Sequence, residues 1–141
     1  MSEDVKYQVL NILLLDSQFK RNLIIKFDSS NIKNNVQIES NKNKEQENLL
    51  VDVTLKFITT IDDIEVINAK VTMIGIFRCS ENLELSEDTF GKINAPAIIF
   101  PFIREHLANL SLKAGIPPIL LPPVNFVQLD KLKKDEETKA K

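Results

Sequence analysis

The stretch Val51-Asp52-Val53-Thr54-Leu55-Lys56-Phe57 decides the fold class of this chain. Its apolar residues alternate strictly with polar ones, and this two-residue period is typical of a β-strand with one buried and one solvated face. The alternation resumes from Ile67 to Phe77, after Asp62 and Asp63, which favour a tight turn. Strands joined by a tight turn pair antiparallel, so we predict an antiparallel sheet and not a doubly wound α/β layer.

Two more strands are predicted on the N-terminal side of this pair. The segment from Val5 to Leu15 is rich in Val, Leu and Ile, and Val36 with Ile38 indicates a short strand. The segment from Glu39 to Asn48 consists of Ser, Asn, Lys, Glu and Gln and has nothing to bury. We therefore predict a solvent-exposed loop there.

A long helix is predicted after the strands, because apolar residues recur at intervals of three and four. Its apolar face is predicted to consist of Ile99, Phe102, Ile103, His106, Leu107, Leu110 and Ala114. Asn94 can cap the start of the helix and Gly115 can end it. Pro101 removes one backbone hydrogen bond inside the helix, so we expect a kink or a break there.

The segment Pro117-Pro118-Ile119-Leu120-Leu121-Pro122-Pro123 is predicted to be an extended crossover loop, because its prolines exclude a helix and lack amide donors for a central strand. A second helix is predicted from Asn125. The fold class is α+β, with a four-stranded antiparallel β-meander backed by the long helix, then the proline-rich loop and the C-terminal helix. We expect one domain over residues 1–132 and a charged, disordered tail over residues 133–141.

The proline-flanked loop carries three large aliphatic residues outside regular structure, and two interpretations of it stay open. The loop can fold over the sheet and bury these side chains in the protein's own core. It can instead line a groove, together with the second helix and the sheet, for apolar segments of another chain.

Composition excludes several classes of function. The chain has 141 residues with a formal net charge of −2 and a pI near 5.5, so it has no basic field for nucleic acid. Its apolar runs are too short for membrane insertion. The acidic start Met1-Ser2-Glu3-Asp4 and the single cysteine lead us to expect a cytoplasmic protein.

Residues capable of catalysis are few and scattered. His106 is the only histidine and lies by the apolar helix face, and Cys79 ends an apolar strand face, so packing roles are favoured over a catalytic dyad. The adjacent Asp62 and Asp63 suit a turn better than a metal or an acid–base pair. We therefore predict no enzyme activity, no catalytic or metal-binding residues and no cofactor.

Several motifs resemble the SecB protein-export chaperone family in both order and spacing. They are Asn94-Ala95-Pro96-Ala97-Ile98-Ile99-Phe100-Pro101-Phe102-Ile103-Arg104-Glu105, Gly115-Ile116-Pro117-Pro118 and Leu121-Pro122-Pro123-Val124-Asn125-Phe126. Gly75-Ile76-Phe77 is similar to the end of the family's last strand, and Tyr7-Gln8-Val9 to its first strand. The resemblance covers Tyr7 to Leu129.

The resemblance implies an ATP-independent chaperone that binds unfolded polypeptides in apolar grooves, assembled as a dimer of dimers. The client-binding residues that it implies are Val53, Leu55, Phe57, Ile119, Leu121, Phe126 and Leu129. The alternative from another class is a structural adaptor that binds one specific folded partner.

The resemblance also implies acidic side chains on the outer sheet face for docking to the translocation ATPase SecA. Asp16 keeps an acid at a matching position, whereas Lys20 and Lys70 carry the opposite charge. Two reversals weaken attraction to a basic partner. An antitoxin of a toxin–antitoxin system therefore stays open as a dedicated client beside exported preproteins.

Overall fold

The computed structural model describes residues 7–79 and 87–139, with the side chains of residues 7–78 and 88–136. Four long strands come first: β1 (Tyr7–Arg21), β2 (Ile32–Glu45), β3 (Asn48–Ile61) and β4 (Ile64–Cys79). The helical part comprises the single turn α1 (Glu87–Thr89), a π-helical turn (Phe90–Asn94), the long helix α2 (Ala95–Lys113) and the C-terminal helix α3 (Phe126–Lys139).

The four strands form one antiparallel sheet in the order β1-β4-β3-β2, which confirms the predicted fold class. Strands β2 to β4 make a meander, and β1 joins the sheet at its other edge beside β4. Asp62 and Asp63 form the turn between β3 and β4 with φ angles of 51° and 66°. Positive φ at both central residues is what a two-residue type I′ hairpin turn requires, and aspartate tolerates it.

The predicted solvent loop from Glu39 to Asn48 is wrong. Strand β2 continues to Glu45, and its backbone pairs with β3 at every position from Ile32 opposite Ile61 to Glu45 opposite Asn48. Most side chains of β2 remain exposed, so the strand has little hydrophobic pattern. Backbone hydrogen bonds to β3 hold it in the sheet, and those bonds do not depend on the side chains.

Helix α2 covers one face of the sheet and forms the core with it. The predicted alternation of β3 is confirmed, since Val51, Val53 and Leu55 are completely buried. Ile99 and Ile103 of α2 are also completely buried, and each such side chain stabilises the fold by about 1.5–3 kcal/mol.

Phe102 does not belong to the buried face on which the sequence places it, since 47% of its surface is exposed. Phe100 is buried in its stead, and its ring meets that of Phe126 edge-on at a centroid distance of 5.9 Å. The three- and four-residue spacing fits both residues, and only the position of α3 decides which of them is covered.

Gly75 of β4 allows α2 to lie close to the sheet. A Cβ atom at this position would come within 2.7 Å of the Phe77 ring and 3.0 Å of Ile99 Cδ1. Both distances are shorter than ordinary van der Waals contact, so any larger residue would push the helix or the ring outward.

The start of α2 differs from the prediction, and its end agrees with it. Asn94 has helical dihedral angles and no capping hydrogen bond, because the chain is already helical from Glu87 onward. At the other end Gly115 has a φ of 67°, and its amide donates to the Leu112 carbonyl at 3.2 Å. This is the predicted glycine stop. Pro101 does not break α2.

Arg21, the last residue of β1, ties the sheet to the C-terminus of α2. Its Nη1 donates to the carbonyl oxygen of Ala114 at 2.6 Å, and its Nη2 donates to that of Leu23 at 2.8 Å. A cation at a helix C-terminus satisfies free carbonyls and interacts favourably with the helix dipole. The end of α2 is therefore anchored to the start of the loop after β1.

Ser111 positions the proline-flanked crossover on α2. It is completely buried, donates its hydroxyl proton to the Leu107 carbonyl at 2.9 Å, and accepts the backbone N–H of Ile119 at 3.1 Å. Asn125 then caps α3, because its Oδ1 accepts the N–H of Gln128 at 3.1 Å.

The segment predicted as a disordered tail is helical as far as the structure describes it. Helix α3 continues through residues 133–139, and Lys134 pairs with Asp130 one turn earlier at 3.2 Å. Such a pair supports an exposed helix. Residues 140 and 141 lie outside the described residues.

We expect Ser111→Ala to lower the free energy of unfolding by about 1–3 kcal/mol, because the buried N–H of Ile119 loses its acceptor. Chemical denaturation measures this. Asn109→Ala, at an exposed position of the same helix, is the control and should change stability by less than about 0.5 kcal/mol. Equal effects of the two substitutions would contradict the anchoring role of Ser111.

Candidate functional site

The seven residues predicted to bind a client lie together, but most of them are inside the core. Val53 and Leu55 have no exposed surface beneath α2. Phe57, Ile119, Leu121 and Phe126 are also buried, and Leu129 is half-buried. In this conformation Val53 and Leu55 support the site from below and offer no surface to a ligand.

Three pockets flank the crossover and α3, and five of the seven residues border them. The first, here called the sheet pocket, has a volume of about 320 Å³ and lies between the sheet and the crossover. Its apolar walls include Phe27, Ile32, Phe57, Ile67, Ile119 and Leu120. Phe57 and Ile119 are therefore at the edge of accessible space although each is largely buried.

One polar pair interrupts the apolar lining of the sheet pocket. Thr59 is buried, with 3% of its surface exposed, and its hydroxyl donates to the Oδ1 atom of Asn34 at 2.7 Å. Asn34 and Thr59 are cross-strand neighbours on the face of the sheet that α2 covers. This hydrogen bond fixes the orientation of the Asn34 carboxamide.

The second pocket, here called the helix pocket, lies between α2 and the crossover and has a volume of about 390 Å³. Its walls are Pro101, Arg104, Glu105, Ala108, Leu120 and Leu121. Leu120 borders both the sheet pocket and the helix pocket, and 77% of its surface is exposed. The tip of the crossover thus separates two adjacent concave surfaces.

The third pocket, here called the basic pocket, has a volume of about 230 Å³ and lies beside α3. Phe126 and Leu129 provide its apolar part, and Lys92, Lys133 and Lys134 outnumber Asp130 among its charged groups. The positive sign of this rim is opposite to the net charge of the chain.

An ion-pair cluster beside the basic pocket joins β2 to the start of the helical region. Lys42 Nζ lies 2.9 Å from one carboxylate oxygen of Asp88, and Lys92 Nζ lies 3.4 Å from the other. The hydrogen bond from Lys42 and the nearby charge of Lys92 hold the pKa of Asp88 below its usual value. Asp88 is exposed, so the cluster contributes little to stability.

Asp16 lies on the outer face of the sheet, the face opposite α2, and it is not a free acid. Lys70 Nζ lies 3.8 Å from its Oδ2 atom, and Gln18 donates to the same oxygen at 2.9 Å. Lys70 is also directly opposite Lys56 on β3. This face therefore carries mixed charge, with Asp16 partly neutralised by a lysine.

Of the residues weighed as catalytic, His106 lies between α2 and β1, and Asp62 and Asp63 lie in the turn between β3 and β4. His106 Nε2 lies 2.9 Å from Ser17 Oγ, and this contact joins α2 to β1. The side chain of Cys79 lies outside the described residues. Within residues 7–78 and 88–136, no cluster of three His, Cys, Asp or Glu side chains could hold a metal ion. In the same part of the chain, no helix combines the length and apolarity needed to cross a membrane.

Strand β1 and α2 expose apolar side chains that no described part of the chain covers. Helix α2 presents an exposed apolar stripe formed by Ile98, Phe102 and Leu112, with 37%, 47% and 67% of their surfaces exposed. Leu14 and Leu15 of the edge strand β1 are also exposed. Among the described residues, therefore, no element covers these leucines of β1.

Sequence reasoning missed Asn34 and Thr59 in the sheet pocket and Ser111 beneath the crossover. Thr59 has a signal in the sequence, since it is a polar residue in phase with the buried residues Leu55 and Phe57. Asn34 has none, because it lies in a strand with little hydrophobic pattern.

Two relatives share substantial sequence with this chain. A protein-export protein SecB from Methylobacillus flagellatus is 37% identical over 90 residues, which cover 64% of this chain and 57% of the relative. The protein-export protein SecB of Neisseria meningitidis is 33% identical over 88 residues, or 62% of this chain and 60% of the relative. The matched part thus spans less than two thirds of each relative's length.

The fold is similar to that of a SecB-like chaperone from Mycobacterium tuberculosis, solved in complex with a peptide from an antitoxin, with a TM-score of 0.75. The similarity covers 85% of this chain and 91% of that one at 16% identity, so it concerns the fold alone. Residues 15–137 match the family described as preprotein translocase subunit SecB, and because this match includes most of the chain, the protein belongs to the SecB family.

Proposed function

We propose that this protein is an ATP-independent molecular chaperone that binds unfolded or non-native polypeptide segments and keeps them competent for export or delivery. The observation that carries the proposal is the adjacency of the sheet pocket and the helix pocket on either side of Leu120. Two neighbouring recesses with largely apolar lining suit an extended chain, whose side chains can enter one after the other. Membership of the SecB family supports the same function.

Binding of this kind requires no chemistry. The apolar walls of the sheet pocket favour removal of aliphatic and aromatic side chains from water. We propose that Phe57, Ile119, Leu121, Phe126 and Leu129 contact the client at pocket edges, while Val53 and Leu55 hold the sheet beneath. The protein then needs neither a nucleotide nor a metal, and it works in the cytoplasm.

The client is either an exported preprotein or a dedicated partner such as an antitoxin. The antitoxin peptide bound by the structural neighbour supports the second reading, as does the mixed charge around Asp16. A carboxylate already paired with Lys70 attracts a basic partner weakly, and Lys20 repels it. These charges therefore favour a dedicated client over SecA docked through Asp16.

We further propose that the protein is a homo-oligomer, with a dimer of dimers as the expected assembly. The exposed stripe on α2 and the leucines of β1 support this, because large exposed apolar surfaces mark sites of association. An edge strand also presents unpaired backbone groups that a second copy can satisfy.

A structural adaptor for one folded partner is the alternative function. One observation favours it: Ile119 and Leu121 of the crossover are each only 7% exposed and pack on the protein's own core. An adaptor would keep this arrangement, whereas a chaperone would use the recesses beside it. The two functions differ in whether unfolded chains bind.

We expect the protein to suppress aggregation of a chemically unfolded substrate without nucleotide, and Leu120→Asp to reduce this suppression about tenfold or more. The substitution places a charge at the wall shared by two largely apolar pockets, and it does not disturb the core because Leu120 is exposed. Light scattering of the aggregating substrate measures the effect.

Leu23→Asp is the matched control for that experiment, because Leu23 is 89% exposed and borders none of the three pockets. It should leave suppression unchanged. If the wild-type protein does not suppress aggregation, the chaperone function is wrong and the adaptor takes its place.

Phe102→Glu should lower the molecular mass measured by light scattering at micromolar concentration, because it places a charge in the exposed stripe of α2. Leu132→Glu is the control, since Leu132 is similarly exposed, at 54%, on a different helix. A wild-type protein that is already monomeric would refute the assembly.

A further inference from the structure

The Asn34 carboxamide is the unusual feature of the sheet pocket. Its Oδ1 atom is engaged by the hydroxyl of the buried Thr59, so its Nδ2 group is directed by a hydrogen bond that the fold supplies. Among the described residues, no acceptor pairs with Nδ2. The pocket therefore contains an oriented amide with two donors available to a bound molecule.

The rest of the pocket makes this donor stand out. Pro117 and Pro118 form part of the wall and have no backbone N–H, and the other walls are aliphatic and aromatic side chains. Asn34 is exposed in the free protein, so water pairs with its Nδ2 group there. A ligand that fills the pocket with apolar groups displaces this water, and it must then bring an acceptor of its own, because a desolvated and unpaired donor costs free energy.

We propose that Asn34, held by Thr59, is a specificity-determining residue that donates from Nδ2 to a backbone carbonyl of an extended apolar polypeptide seated in the sheet pocket. This inference rests on the proposed chaperone function and assigns a residue within it. A polypeptide is the ligand class that combines apolar side chains with closely spaced carbonyl acceptors. Because this hydrogen bond is made to the backbone of the client, many apolar sequences can bind. Apolar ligands that bring no acceptor to Nδ2 bind more weakly.

The test uses a capped, uncharged nine-residue peptide of alternating leucine and serine, with affinity measured by calorimetry. Asn34→Asp keeps the shape of the side chain and can still accept the Thr59 hydroxyl, but it faces the client carbonyl with an acceptor. We expect its affinity to fall roughly three- to tenfold, as for loss of one hydrogen bond. Thr59→Val, which leaves Asn34 without its support, should weaken binding about two- to threefold.

Two controls match these variants in chemistry and location. Asn35→Asp adds the same charge one residue away on the opposite face of the sheet, and Thr60→Val makes the same change on that opposite face. Both should bind the peptide as the wild type does. Thermal unfolding shows whether each variant is folded. If Asn34→Asp does not fold, Thr59→Val tests the role of the Asn34 amide independently.

A second measurement identifies the atom that is bound. Peptides in which one backbone amide at a time is replaced by an ester present a weaker carbonyl acceptor at that position. At one position, the ester should reduce the affinity of the peptide for the wild-type protein and leave its affinity for the Asn34→Asp protein unchanged. A double-mutant cycle detects this coupling.

Equal affinities of the Asn34→Asp and Asn35→Asp proteins, or additive effects of every ester, would overturn the role of Asn34 while leaving peptide binding intact. If the wild-type protein does not bind the peptide at all, the proposed function itself fails, and the anchor fails with it.

Discussion

The packing of α2 onto one face of the sheet is the constraint on which the remaining structure depends. Ile99, Ile103 and Leu107 of the helix meet the alternating apolar residues of β3, and Gly75 lets the two layers approach. Removal of this much apolar surface from water dominates the stability of a chain of this size. The helix then acts as the fixed reference from which the crossover and α3 are positioned.

A small number of polar contacts position the crossover relative to α2. Ser111 inside α2 accepts the Ile119 amide, and Arg21 at the end of β1 donates to the Ala114 carbonyl at the end of the same helix. Buried hydrogen bonds of this kind are costly to leave unmade, so they select one path for a segment that has no regular structure. With that path set, Ile119 and Leu121 point inward and Leu120 points into solvent between two pockets.

The predicted client-binding residues can serve a binding function although most of them are buried. The residues that resemblance to the family places at the client site are mostly core residues in this chain, and the accessible recesses lie at their edges. The sheet pocket alone is lined by side chains from five separate parts of the sequence, from the loop after β1 to the crossover. Burial of the motif therefore maintains the shape of the recesses, and exposed neighbours determine what enters them.

The sequence by itself determined the strands with strict alternation, the turn at Asp62 and Asp63, the glycine stop of α2 and the family, because these depend on local patterns and short-range backbone geometry. Only the tertiary structure decided the full length of β2, whose pairing depends on backbone groups of β3 and not on its own polar side chains. It also decided that Phe102 is exposed and that Asn34 meets Thr59 in a pocket. These outcomes depend on which distant elements cover a given face, and no local pattern contains that information.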